Sequence, residues 1–168
     1  LRVLDGLSSV GARGLRIANE SDGEFKVILN DWNERAIEIA RKSIEHNDLR
    51  NVETRCENLN VLLCKEKFNY IDIDPFGSPV PYVSMAVRSI LPGGILAFTA
   101  TDTATLCGVY RKTCLRRYSA EPLRTWAMHE IGLRILIGYI IKEGARFERA
   151  LYPILSYSRN YYMRVYFR

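Results

Sequence analysis

The feature of this 168-residue sequence that most restricts its fold is an alternation of short apolar runs with amphipathic stretches. Val3–Leu7, Lys26–Asn30, Val52–Cys56, Phe68–Ile73 and Gly94–Thr99 read as five buried strands. Between them, Ala12–Asn19, Glu34–Asn47, Leu59–Lys65 and Tyr82–Ser89 read as helices. In Glu34–Asn47 the apolar face is Ala36, Ile37, Ile39, Ala40 and Ile44, and Arg35, Glu38, Arg41 and Lys42 supply the wet one. Strands alternating with helices in this way form a parallel sheet with right-handed crossovers and helices on both faces. After the fifth strand comes a basic, poorly periodic stretch, Thr101–Tyr118. A long helix is expected from about Glu121 to Glu143, with Pro122 in its first turn and Gly144 as its left-handed C-cap. Arg146–Leu155 and Tyr161–Phe167 are strand-like; joined by Ser156–Asn160, they predict an antiparallel hairpin closing one edge of a mostly parallel α/β sheet.

Composition narrows the class. Hydrophobic residues make up 48% of the chain, far too many for a disordered segment. No apolar run approaches the roughly 18–20 residues of a membrane span, so no membrane partner is expected. The chain opens Leu-Arg-Val-Leu-Asp, without an initiator Met and without a basic-then-apolar signal segment, and is expected to be a piece of a longer protein. A reducing setting follows, cytoplasmic or, in a eukaryote, nuclear. Cys56, Cys64, Cys107 and Cys114 form no C-x-x-C pair, and only His46 and His129 could complete a metal site, so reduced cysteines and no metal are expected. Residues 1–100 hold 12 Lys+Arg against 14 Asp+Glu, and residues 101–168 hold 12 against 5. A basic second half fits a polyanionic partner, because neutralising phosphates releases counterions; an ordinary solvated basic surface is the alternative.

The first strand runs into Asp5-Gly6-Leu7-Ser8-Ser9-Val10-Gly11-Ala12-Arg13-Gly14, where a helix starts. Gly6 and Gly11 have the gap of a P-loop, but Ala12 and Arg13 stand where the phosphate-binding Lys and the Mg²⁺-binding hydroxyl belong. The G-x-G-x-x-G triplet of a dinucleotide fold is absent. An acidic strand end followed by spaced glycines suits a ligand that lacks phosphates and carries an amino acid. Asp5 can hold its ammonium group, and Gly6 and Gly11 allow close approach. Asp31, at the second strand's end, can bind both ribose hydroxyls or can cap the following helix. Beyond the third strand, Glu57 can accept from an adenine amine and the Asn58 backbone can donate to a ring nitrogen. Asn58 as a helix N-cap is compatible with that role.

The strongest local signal is Tyr70-Ile71-Asp72-Ile73-Asp74-Pro75-Phe76-Gly77-Ser78-Pro79, where the fourth strand meets the cleft. Its carboxylate-Pro-aromatic tripeptide resembles the signature of methyltransferases that act on exocyclic amines. An aryl amine's lone pair is delocalised into its ring and is a poor nucleophile. Asp74 and the Pro75 carbonyl can both accept from that amine, and Phe76 can stack on the base. A plain strand-to-turn exit is the bland alternative. Against it, Asp72 and Asp74 alternate with Ile71 and Ile73 on a buried strand, and buried carboxylates need a reason.

Together with Thr99–Ala104, Leu106–Tyr110, His129–Leu136 and Ser156–Ser158 leading into Tyr162–Val165, these residues make the chain resemble, along nearly its whole length, the tRNA guanine-26 N2-dimethyltransferases. The resemblance implies a Rossmann-like class I methyltransferase sheet over residues 1–168 and S-adenosyl-L-methionine as cofactor. It implies tRNA as partner and two methyl transfers to one guanine N2. Arg13, Asp31, Glu57 and Asn58 would contact the cofactor, and Asp74 would be catalytic. The family usually has an aspartate-alanine pair where this chain has Glu57-Asn58. Family members also carry an N-terminal segment and a C-terminal domain outside this stretch. Arg111, Lys112, Arg116 and Arg117 follow the fifth strand and would grip tRNA phosphates beside Asp74, with Tyr110 and Tyr118 as stacking faces. His129 and Glu130 are expected to pack the long helix or cap the Thr101–Asp102 loop, with substrate contact the alternative; His46 is expected at a surface helix end. The rival readings are a methyltransferase of adenine, DNA or a protein amide, a non-catalytic RNA- or cofactor-binding fragment, and, more distantly, an NAD-binding oxidoreductase.

Overall fold

The computed structural model describes residues 1–168. In its first half, β1 (Arg2–Asp5), β2 (Lys26–Asn30), β3 (Val52–Arg55), β4 (Phe68–Ile73) and β5 (Ile90–Ala100) are separated by α1 (Ala12–Glu20), α2 (Glu34–His46), α3 (Leu59–Lys65) and α4 (Val80–Ser89). Then follow α5 (Thr103–Leu106), α6 (Arg111–Tyr118), α7 (Met128–Ala145), β6 (Pro153–Arg159) and β7 (Tyr162–Phe167). The strands form one sheet in the order β3-β2-β1-β4-β5-β7-β6, parallel from β3 to β5 and antiparallel at β7 and β6. The chain works outward from β1 to β3, then returns to lay β4 on the other side of β1. Strand order therefore reverses between β1 and β4, and the crevice beyond their carboxyl ends is where such sheets bind ligands. Asp5 and Asp72 are register partners across that line.

Alternation along the strands divides the side chains between two layers. Leu4, Ile28, Ile71, Ile73, Phe98, Val165 and Phe167 point to one face and are buried with Leu62, Val83, Leu136 and Ile140 of α3, α4 and α7. Val27 and Leu29 point to the other, under Ala18 of α1 and Ala40 of α2. Each fully buried aliphatic side chain of this kind contributes about 1.5–3 kcal/mol. The second face changes character beyond β1, where its positions are Asp5, Asp72, Thr99 and Arg164, all buried.

The second half departs from its sequence pattern in four places. The long helix begins at Met128, not Glu121. The segment before it is packed tightly over Gly108: a Cβ there would lie 3.1 Å from the Arg124 nitrogen. Gly144 is inside α7, pressed against Leu151; the left-handed residue beyond the helix is Glu148. Residues 146–149 wrap the helix end through bonds to the Lys142, Gly144 and Ala145 carbonyls, so β6 starts at Pro153 and absorbs Ser156–Arg159. The hairpin turn shrinks to Asn160-Tyr161, with Asn160 at φ 50°, and the second strand of the hairpin is inserted between β5 and β6. The basic stretch holds two helices. In α6 only Cys114 and Tyr118, four residues apart, are buried, a stripe too narrow to show as a period.

Gly14 sets how closely α1 approaches the sheet. A Cβ there would lie 2.2 Å from Leu29 Cδ2 and 3.3 Å from Asp5 Oδ2, and Leu29 is fully buried. Gly14→Ala is expected to destabilise by about 1–3 kcal/mol through overpacking. Gly138→Ala, in α7 where an added Cβ meets nothing within 4 Å, is expected to stabilise by about 0.5–1 kcal/mol. Denaturant unfolding of the two variants checks both signs.

Candidate active site

The loop after β1 is held from three sides. Gly6 N–H donates to the Asp72 carbonyl at 2.9 Å, Ser8 N–H to the Asn30 carbonyl at 2.8 Å, and the Asn30 amide to the Gly6 carbonyl at 3.0 Å. Gly11 turns the chain into α1 at φ 84°, a left-handed conformation that favours glycine. Asp5, only 4% exposed, accepts from Gly14 N–H at 3.1 Å. Burial, and then the negative charge of Asp72, push the Asp5 carboxyl up to about 7, against the pull of Arg13 and the Gly14 N–H. Asp31 accepts from Ser9 N–H at 2.8 Å and Asn33 N–H at 2.9 Å. It braces the glycine turn, while Asn33 caps α2. Asn58 caps α3, and Glu57 is paired with Lys65 at 2.6 Å. Trp32, beside Asp31, is widely exposed.

At the end of β4 a charge cluster crosses the sheet. The buried Arg164 guanidinium of β7 clasps the Asp72 carboxylate with two nitrogens and also donates to Thr99 Oγ1 at 2.5 Å. Tyr70 donates to Asp72 at 3.0 Å. Arg13, reaching over from α1, donates to Asp72 at 2.7 Å and to Asp74 at 2.5 Å. Burial alone would lower the Arg164 and Arg13 pKa values, but the carboxylates outweigh it and hold both guanidinium groups protonated. Here is the reason for a carboxylate on a buried strand: Asp72 is buried in β4, whereas Asp74 lies just beyond the strand and is partly exposed. Two cavities meet at Arg13, Asp74 and Thr101. One of about 380 Å³ is bordered by Asp5, Ser8, Ser9 and the Asp74–Phe76 turn; the other, of about 400 Å³, by Arg164, Thr99 and four tyrosines. Pro75 is buried, whereas the Phe76 ring is fully exposed at the cleft mouth.

The turn itself is clamped from behind. Gly77, at φ 85°, donates its N–H to Thr101 Oγ1 at 2.6 Å and accepts from Thr101 N–H at 2.8 Å. Ser78 Oγ lies 2.7 Å from Tyr118 Oη, and Tyr118 donates to Asp102 Oδ1 at 2.9 Å. Tyr118 is therefore a buried strut, not a stacking face; burial, the largest influence, and Asp102 push its pKa well above the ordinary tyrosine range. Tyr110 is exposed. Arg111, Lys112 and Arg116 project from α6 into solvent, Arg111 3.5 Å from Glu121, whereas Arg117 is drawn in to Asp102 at 2.7 Å. His129 does not cap the Thr101–Asp102 loop: its Nδ1 lies 3.4 Å from Ser158 Oγ and 3.7 Å from Cys107 Sγ. Glu130 pairs with Arg134, and His46 ends α2 at the surface. No group of three or more His, Cys, Asp or Glu side chains is placed to hold a metal ion, and no helix is long and apolar enough to cross a membrane.

Arg164, Thr99 and Tyr70 lie within the stretches that carry the family resemblance, but the sequence gives none of them a role of its own, though one signal is present. In Tyr162–Phe167, Met163 and Val165 share the core parity, which leaves Arg164 on the opposite face of an inner strand, where it requires an acidic partner.

The family model for "N2,N2-dimethylguanosine tRNA methyltransferase" matches residues 1–168. The chain is 46% identical to a tRNA (guanine(26)-N(2))-dimethyltransferase of Methanococcus maripaludis over 96% of its own length and 44% of the relative's. It is 44% identical to the protein of that name from Methanocaldococcus jannaschii, over 98% and 45%. Among solved structures it superposes with a TM-score of 0.94, at 37% identity, on Trm1 from Pyrococcus horikoshii in complex with S-adenosyl-L-methionine, covering 99% of this chain and 49% of that one. The chain thus spans less than half the length of these relatives.

The raised Asp5 pKa carries a sign. Folded Asp5 keeps its proton up to about pH 7, whereas the unfolded carboxyl loses it near pH 4. Stability is therefore expected to fall as pH rises from about 4 to 7, by up to about 4 kcal/mol for this group. Asp5→Asn should flatten that part of the stability profile in pH-dependent thermal unfolding.

Proposed function

The chain belongs to the N2,N2-dimethylguanosine tRNA methyltransferase family, and from that premise we propose that it carries the catalytic centre of a tRNA guanine-26 N2-methyltransferase. In this proposal methyl groups pass from S-adenosyl-L-methionine to the exocyclic N2 of one guanine, giving N2-methyl- and then N2,N2-dimethylguanosine. The observation that carries the reading is the Asp74-Pro75-Phe76 turn, which shares a cavity with Asp5, Ser8 and Ser9 at the point of strand reversal. The same cavity supports the cofactor. Asp5 and Arg13 line it and are matched, as carboxylate and guanidinium, to an ammonium group and a carboxylate; beyond it, where Asp31 holds Ser9, Asp31 is matched to ribose hydroxyls and the exposed Trp32 ring to the adenine. Gly6, Gly11 and the Glu57-Asn58 tip complete the proposed cradle.

S-adenosyl-L-methionine would supply an electrophilic methyl group on a sulfonium, the S–CH3 bond breaking with its electrons on sulfur to leave a neutral thioether. Asp74 and the Pro75 carbonyl accept from the guanine amine, draw the nitrogen towards tetrahedral geometry and free its lone pair. Phe76, exposed at the cleft mouth, stacks on the base and contributes about 1–3 kcal/mol of binding. As the new N–C bond forms, the nitrogen becomes acidic, and Asp74 takes its proton. Alignment accounts for most of the rate, with a ceiling of about 7–11 kcal/mol. Extruding the guanine from its stack costs a few kcal/mol, offset by phosphate contacts that we assign to Arg111, Lys112 and Arg116 on α6. Arg117 is the weaker candidate, because it already serves Asp102. The proposed setting is the cytoplasm, or the nucleus in a eukaryote.

Nucleoside mass spectrometry on a guanine-26 tRNA transcript incubated with the protein and S-adenosyl-L-methionine is expected to show N2-methyl- or N2,N2-dimethylguanosine, and none on an adenine-26 transcript. Product on neither transcript would overturn the assignment. Asp74→Ala is expected to slow transfer about 100-fold or more without weakening cofactor binding in a calorimetric titration. Equal loss of both would refute the role given to Asp74.

A further inference from the structure

We infer that Tyr118 is a positioning residue for methyl transfer, its hydroxyl joining the Asp74–Pro79 turn to the basic helix α6. The inference rests on the function proposed above and extends it to a side chain that touches neither substrate nor cofactor. The hydroxyl has one proton and two partners. Asp102, already paired with Arg117, is an acceptor only, so the Tyr118 proton goes to Asp102 Oδ1 at 2.9 Å. Ser78 must then donate to Tyr118 Oη across 2.7 Å, leaving Ser78 Oγ to accept from Val80 N–H at 3.3 Å. The chain of donors thus runs in one direction, from the catalytic turn through Tyr118 to Asp102.

The ring is held independently of the hydroxyl. It is buried and packs edge-on against Tyr139 of α7, with centroids 5.7 Å apart and planes at 86°. Removing the oxygen alone therefore leaves the packing in place. The other fixed point of the turn is Thr101, bonded to Gly77 on both its backbone and its hydroxyl. Without the Tyr118 oxygen the turn keeps Thr101 but loses its tie to α6, whose opposite face presents Lys112 and Arg116 and whose first residue is the exposed Arg111. One short helix thus grips the RNA backbone with its outer face and sets the height of Asp74 and Phe76 with its inner one. Small displacements matter here, since in-line transfer tolerates little misplacement of the nitrogen.

The test is single-turnover methylation of the guanine-26 transcript by Tyr118→Phe, Ser78→Ala and the double variant. The dissociation constants for S-adenosyl-L-methionine and tRNA are measured alongside, with assays run well below each variant's unfolding midpoint. Each single variant is expected to slow the bound-state rate on the order of 10-fold while both affinities stay at the wild-type level. The double variant should be no slower than the slower single one, because both remove the same link. Wild-type rates in Tyr118→Phe, losses that appear equally in binding, or losses that multiply in the double variant would each overturn the positioning role. An active wild type with an unimpaired Tyr118→Phe sinks this inference alone; an inactive wild type sinks it together with the proposed function.

Discussion

The structure depends on one buried carboxylate. Asp72 lies in the middle of the sheet at the end of β4, almost without solvent contact, and takes hydrogen bonds from Arg164, Arg13 and Tyr70. Burying an isolated ion would be prohibitive, and even a paired one is compensated only when its remaining lone pairs are filled. Here they are filled from three directions: β7, inserted antiparallel at the far side of β5; α1, entering from the glycine loop; and β4 itself. The inserted strand, the parallel half of the sheet and the first helix meet at this group.

The chemistry of the site follows from that convergence. Arg13 is drawn down to Asp72 and so stands beside Asp74, linking the buried charge to the exposed one. The charge of Asp72 also raises the proton affinity of Asp5 one strand away. Strand reversal between β1 and β4 is what brings Asp5, Asp72 and Asp74 to one crevice. In a sheet of simple sequential order, β2 and β3 would separate β1 from β4 and the cluster would not assemble.

Local pattern in the sequence carried much of this, and its limits have a physical cause. Four of the first five strands and the four helices are legible because each buries its own apolar face, with a period of two or near four; the third, expected to be buried, is an edge strand with no buried residue. The Asp74-Pro75-Phe76 turn is legible because a carboxylate at the exit of a buried strand conflicts with its surroundings. The start of α7 is not, because the packing of Arg124 over Gly108, sixteen residues away, overrides the helical tendency of Glu121 and Leu123. Tyr118 reads as a stacking face among arginines, since only the folded chain shows that its side of α6 turns inward to Ser78 and Asp102. Arg164 and Asp72 are 92 residues apart. No local window contains both, and only the insertion of β7 next to β5 joins them.

The central claim is that Asp72 and its arginines hold the two halves of the sheet together at the active end. Denaturant unfolding of Arg164→Met beside the paired replacement Asp72→Leu/Arg164→Met tests it most directly. The single variant takes the two-nitrogen clasp from the buried carboxylate, leaving it Arg13 and Tyr70 alone, and is predicted to lose about 3–5 kcal/mol, whereas the paired variant, with the Asp72 carboxylate also gone, should recover much of that loss. A single variant as stable as the wild type, or a paired variant less stable than the single one, would contradict the account.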